Sequence, residues 1–162
     1  MSERSAMTTR GSRLLQEELG RLKSTGRKEA ANALAEARAH GDLSENAEYD
    51  AAKEAQGMME ARIRMIESRL SNAQVVDVSK LSGEKVVFGA TVVIADVDTG
   101  EERTLQIVGE DESDIEKGLI SYLSPLARAL IGRSESDIAK VRLPQGEKEY
   151  EIVGVRFEER ED

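Results

Sequence analysis

From Leu14 to Ala73 the chain contains no proline, the first being Pro125, and is rich in Ala, Leu, Glu, Arg and Lys, residues that lose little on entering a helix. Within this stretch Tyr49, Ala52, Gln56, Met59, Ile63, Ile66, Leu70 and Ala73 recur at spacings of three and four, the pattern of a coiled-coil seam. An earlier stripe through Leu15, Leu19, Leu22, Ala33 and Ala37 follows the same rhythm, weakened midway by Gly26 and Glu29. The short connection Gly41–Ala47 between the stripes makes two helices antiparallel neighbours. A helical hairpin is therefore expected, its arms reaching about 40 Å at about 1.5 Å per residue. A seam this narrow, largely Ala near the turn, suits two closely packed helices with solvent on their other faces.

Beyond Ala73 the pattern changes to short β-type runs at Gln74–Val78, Val86–Phe88, Thr91–Ala95, Thr104–Val108, Lys140–Leu143 and Glu149–Val155, with turn signals at Asp98-Thr99-Gly100 and Pro144-Gln145-Gly146. One helix is predicted over Pro125–Ile131, with Ser124 as its cap, Pro125 at its first position and Gly132 ending it. The expected fold is α+β. A long antiparallel coiled-coil hairpin over 1–78, with an acidic tip near 41–47, is followed by a linker at 79–85 and a small β-rich domain with one short helix over 86–162.

Charge divides the chain in the same way. Met1–Gln74 carries 12 Lys+Arg against 12 Asp+Glu, whereas Val75–Asp162 carries 11 against 20, so the whole net charge of -9 lies in the second part. Within the first part, Asp42–Glu54 holds five acids and the single base Lys53. There is no cysteine, which removes disulfides, thiolate metal sites and a Cys nucleophile and suits a reducing compartment. Neither a signal-peptide core over Met1–Thr9 nor an apolar run able to span a bilayer is present, so a cytoplasmic protein without a membrane partner is expected.

The chemistry is sought at the turn. Asp42 and Glu45 lie three apart, so on a helix start both carboxylates can face the same way. An Asp N-cap followed by Glu at the third position also has the form of a capping box, and most such patterns are only that. A cap alone, however, does not require a long arm to carry it. Two carboxylates make an incomplete Mg²⁺ site, since the ion takes six oxygens and commonly draws the rest from water and phosphate. A partner would have to complete it.

The run Ala37-Arg38-Ala39-His40-Gly41-Asp42-Leu43-Ser44-Glu45-Asn46-Ala47-Glu48-Tyr49, with Ala51-Ala52-Lys53-Glu54 after it, resembles the signature of the bacterial Gre transcript cleavage factors. Matches continue through Leu70-Ser71-Asn72-Ala73, Phe88-Gly89-Ala90-Thr91-Val92, Gln106-Ile107-Val108-Gly109 and Ser124-Pro125-Leu126-Ala127-Arg128-Ala129-Leu130-Ile131-Gly132. The resemblance implies an FKBP-like second domain that docks on bacterial RNA polymerase at the rim of its secondary channel, while the coiled coil enters the channel. It further implies a non-enzymatic monomer that stimulates the polymerase to cleave the nascent RNA 3′ end in backtracked complexes. Asp42 and Glu45 would share a Mg²⁺ ion with the polymerase, with no cofactor held stably by the protein alone. Ser44 and Asn46 would support the tip, Arg38 and Lys53 would contact RNA or the channel, and Ser124 and Pro125 would belong to the docking surface.

The sequence departs from the family pattern where Arg27 is followed by Lys28-Glu29 rather than by proline, and at Ser44, where a basic residue is common. Arg10, Arg13, Arg21, Lys23, Arg27 and Lys28 could form a basic patch toward RNA or be an interleaved, solvated face. For His40, capping of a helix C-terminus outweighs catalysis. Two other functions fit parts of the pattern. A channel-occupying inhibitor would be expected to carry extra tip acids, and a prolyl-isomerase-like peptide binder is disfavoured by an aromatic content of 3%.

Overall fold

The structure is a computed structural model that describes residues 5–41 and 46–160. The chain forms two compact units, one made of Arg13–Asn72 and the other of the residues before and after it. The α+β class and the helical hairpin are as expected, but this division differs from a boundary at 78/79. Residues 5–12 and 73–78 belong with the β-rich unit because strand β1 (Ser5–Thr8) pairs in parallel with β2 (Ala73–Val76), Ser5 opposite Ala73 and Thr8 opposite Val76.

In the hairpin unit, the first arm comprises the later part of α1 (Thr9–Arg21), a π-helical turn at Leu22–Gly26, and α2 (Arg27–Ala39); α3 (Ala47–Ser71) is the second arm. All eight predicted seam positions from Tyr49 to Ala73 are buried or half-buried, with Ile63 and Ile66 essentially sealed. In the first arm Leu15, Leu19, Leu22 and Ala37 turn inward as expected, but Ala33 is exposed and Leu34 is buried instead. The π turn is the reason. Arg27 N–H donates to Leu22 O, five residues back, as well as to Ser24 O, so this turn takes up one residue more than an α-turn. After it the inward positions are Ala30, Leu34 and Ala37, so Leu34 replaces Ala33 while Ala37 keeps its expected place.

The β-rich unit is a five-stranded sheet in the order β5-β4-β3-β7-β6, formed by β3 (Thr91–Asp96), β4 (Glu102–Val108), β5 (Leu119–Ser121), β6 (Ile138–Leu143) and β7 (Gly146–Arg156). Only β4 and β5 run parallel. Alternation sets the faces: Ala139, Val141, Tyr150 and Ile152 point inward with Val92, Ile94, Leu105 and Ile107, while Lys140, Arg142 and Glu151 point out. Helix α4 (Pro125–Leu130) closes the core with Ala127 and Leu130. The predicted strand at Val86–Phe88 does not form. Val86 is instead held in a single crossing, its N–H donating to Arg133 O and its carbonyl accepting from Gly132 N–H.

The unit's N-terminal segment is fixed by a buried charge. Glu112 accepts Thr8 Oγ1–H at 2.5 Å and Arg10 Nη1 at 2.9 Å, its side chain 2% exposed and that of Arg10 7%. Gly11 N–H completes the knot by donating to Thr8 Oγ1. A Cβ at Gly11 would lie 2.7 Å from Glu112 Oε1, and one at Gly109 the same distance from Ala6 O, so close approach requires glycine at both.

Removing one partner of a buried, hydrogen-bonded charge pair strands the other. Glu112→Ala is expected to destabilise the β-rich unit by about 3–5 kcal/mol in urea denaturation, and a loss below about 1 kcal/mol would contradict this account. For the π turn, deleting the exposed Thr25 is expected to leave a continuous α-helix with Ala30, Leu34 and Ala37 still inward. Amide hydrogen exchange over 22–39 should then be unchanged or slower; faster exchange throughout would mean the extra residue is needed for packing.

Candidate functional site

The turn between the arms is built from both helix ends. Helix α2 stops at Ala39; His40 N–H donates back to Ala37 O and Gly41 N–H to Arg38 O. Gly41 has φ 114°, a conformation that suits glycine after a helix C-terminus. Helix α3 begins at Ala47 with Asn46 in an extended conformation as its N-cap. Asn46 Oδ1 accepts Tyr49 N–H at 3.0 Å and Nδ2 donates to Ala37 O at 2.6 Å, joining the two arms through one side chain.

This corrects the capping assignment. The cap of α3 is Asn46, not Asp42, so the capping-box reading of Asp42 and Glu45 does not describe this helix. Both motifs carry a signal, since Asn and Asp cap equally well; the helix starts after the later one. Asp42, Ser44 and Glu45 themselves lie outside the described residues. Of the remaining candidates, Asn46 and Arg38 meet at Tyr49. The exposed guanidinium of Arg38 lies 5.8 Å from the ring centroid of the half-buried Tyr49, within cation–π range. His40 Nε2 is 3.6 Å from Glu48 Oε2 across the turn, and Lys53, one turn beyond Tyr49, is exposed. The Ala37 carbonyl and the Tyr49 ring, which organise these groups, are the participants that sequence reading misses as site residues. A backbone acceptor leaves no mark in a sequence, and the periodicity assigns Tyr49 wholly to the seam.

Along the arms most of the suggested basic patch is engaged by acids. Arg27 makes a two-pronged contact with Glu60 at 2.9 and 3.0 Å, Lys23 reaches Glu67 at 3.0 Å, and Arg13 pairs with Glu17. Arg62 grips Glu18 with two bonds of 2.7 Å, and Arg10 belongs to the Glu112 knot. The pairs Glu18–Arg62, Lys23–Glu67 and Arg27–Glu60 each join the first arm to the second. Hydrogen bonding from Arg62 holds the Glu18 carboxyl below its ordinary value, and that from Arg27 does the same for Glu60.

In the β-rich unit Ser124 Oγ accepts Ala127 N–H at 3.2 Å, capping α4 with Pro125 at its first position, as predicted. Pro125, Arg128, Leu123 and Ile131 are exposed around this short helix, Leu123 at 43% and Ile131 at 38%.

A family model for the transcription elongation factor N-terminal domain matches residues 5–75, and one for the GreA/GreB transcription elongation factor C-terminal domain matches 81–157. The chain belongs to the GreA/GreB family of transcription elongation factors. It is 59% identical to transcription elongation factor GreA of Methylococcus capsulatus, covering 93% of this chain and 96% of that one. With GreA of Xanthomonas axonopodis pv. citri the identity is 56%, over 95% and 98%. Among solved structures, the GreA factor homolog 1 (Gfh1) protein of Thermus thermophilus is 28% identical over 95% of this chain and 99% of its own, with a TM-score of 0.43. Family membership therefore rests on the sequence matches. Among the described residues no helix is long and apolar enough to cross a membrane.

The lowered carboxyl values of Glu18 and Glu60 set a pH dependence for the hairpin. Their folded values lie below the ordinary 4.5, so the stabilisation they bring is complete above about that pH and lost as pH falls through the folded values. Thermal melts on either side of this pH are expected to show a smaller acid-induced loss in the double variant Glu18→Gln/Glu60→Gln than in the wild type. Equal losses would show that these exposed pairs contribute nothing measurable.

Proposed function

We propose that this family member promotes cleavage of the nascent RNA 3′ end by RNA polymerase in backtracked elongation complexes, with Asp42 and Glu45 as the effective groups. The observation that carries this reading is the capping of α3 by Asn46. With the cap supplied by Asn46, the carboxylates of Asp42 and Glu45 are not needed to start this helix.

The donor chemistry suits a hard cation. Asp42 and Glu45 would supply carboxylate oxygens to a Mg²⁺ ion, and oxygens from the polymerase, RNA and water would complete its shell. The chemistry available from such an ion is activation of water for phosphodiester hydrolysis. The chain's own part is to bind and to orient: the exposed α4 surface around Ser124 and Pro125 would dock on the polymerase, and the hairpin would enter its secondary channel. Arg38 and Lys53, exposed on opposite arms beside the turn, would meet RNA phosphates or the channel wall by charge. Arg38, already stacked on Tyr49, is the better oriented of the two. In this reading the protein acts as a cytoplasmic monomer and is an activator, the cleaving enzyme being the polymerase.

The test is a stalled, backtracked elongation complex incubated with the protein and Mg²⁺. Short 3′ RNA fragments are expected with the wild type. Asp42→Ala and Glu45→Ala are each expected to reduce the cleavage rate by about a hundredfold or more, in the range seen when a group stabilising a transition state is lost, while competition for polymerase is retained. Cleavage at the wild-type rate by both variants would overturn the assignment.

A further inference from the structure

We propose that Asn46 is a positioning residue, whose carboxamide pins the two ends of the tip loop and so sets where Asp42 and Glu45 are presented; this inference rests on the cleavage reading above. The connection between α2 and α3 runs from His40 to Asn46, and its ends are tied by one side chain. Oδ1 accepts Tyr49 N–H on α3 at 3.0 Å, and Nδ2 donates to Ala37 O on α2 at 2.6 Å. Since a backbone N–H can only donate and a carbonyl can only accept, these two partners fix the orientation of the amide.

The two bonds do different work. The first caps α3, a task that Asp or Ser at this position performs as well as Asn. The second does nothing for α3. It reaches a carbonyl in the last turn of α2 that already accepts His40 N–H at 3.2 Å, and so fastens one arm to the other. Ala37 itself is 2% exposed on the seam, so its carbonyl is a fixed point. Only a side chain with an acceptor and a donor on one carbon, at asparagine's length, serves both partners. An aspartate in its place would be isosteric but would set an oxygen against Ala37 O, and a serine lacks the reach.

Placement is what such a tip has to supply, because a misplacement of about 1 Å in a catalytic constellation can cost about a hundredfold in rate. A staple joining the last turn of α2 to the first turn of α3 limits how far these two arm ends can move apart.

The experiment separates cap from staple in the full-length chain. Asn46→Asp and Asn46→Ser both keep the cap and remove the bond to Ala37 O; comparing them discounts the added charge of the aspartate. With backtracked complexes and Mg²⁺, both variants are expected to lower the cleavage rate at saturating protein by about tenfold to a hundredfold. The half-saturating concentration should stay within about twofold of the wild type, and both variants should remain folded at the assay temperature, with at most a fall in melting temperature of a few degrees. In NMR spectra the wild-type Asn46 carboxamide protons should exchange slowly, and the Tyr49 amide should remain protected in both variants. Wild-type cleavage rates at saturation in both variants, or an Asn46 carboxamide exchanging as fast as a free one, would overturn the proposal. Asp42→Ala is run alongside. If it cleaves normally, the cleavage reading fails; if it is inactive while both Asn46 variants are fully active, only the positioning role fails.

Discussion

A two-helix hairpin has a single interface, and the properties of its end depend on how closely that interface brings the backbones together. Ile63 and Ile66 fill the seam far from the turn; nearer it, the small residues Ala37, Ala52 and the half-buried Ala30 stand beside Leu34 and Tyr49. Small residues let the arms approach, and that approach allows a side chain as short as Asn46 to bridge from the first turn of α3 to the last turn of α2. A leucine in place of Ala37 would fill the space that the bridge needs. Ion pairs such as Arg62–Glu18 and Arg27–Glu60 join the arms at further points, contributing little stability individually because they are solvated.

The β-rich unit depends on a different kind of constraint. A carboxylate as buried as Glu112 is tolerable only with its oxygens engaged, and its partners Thr8 and Arg10 come from the other end of the sequence. The N-terminal strand is thus held twice, by pairing of β1 with β2 and by this knot at its end. Glycine at 11 and 109 admits the close approach on both sides of it. The first residues of the chain therefore belong to the unit formed mainly by the last.

What can be read in the sequence follows from how local each determinant is. The stripe from Tyr49 to Ala73 is legible because an uninterrupted α-helix preserves periodicity, and β3, β4, β6, β7 and α4 are legible from alternation, turn residues and the Ser124-Pro125 start. Ala33 is misplaced because a π turn consumes an additional residue without any distinctive composition; Gly26 is the only hint. Strands β1 and β5 and the burial of Glu112 are not legible, since each is created by a partner distant in sequence. At the tip the motif is visible but its internal division of labour is not. Two adjacent capping signals compete, and the position of the helix start, which tertiary packing decides, selects Asn46.

That selection alters the meaning of the acidic tip. Negative charge near a helix N-terminus is favourable, but Glu48 and Asp50 already provide it in the first turn of α3, and Asn46 already provides the cap. Asp42 and Glu45 are therefore not needed to start α3, and they add two further acids to a stretch, Asp42–Glu54, whose single base is Lys53. Under the proposed function, the polymerase site supplies the hard cation that such carboxylates suit.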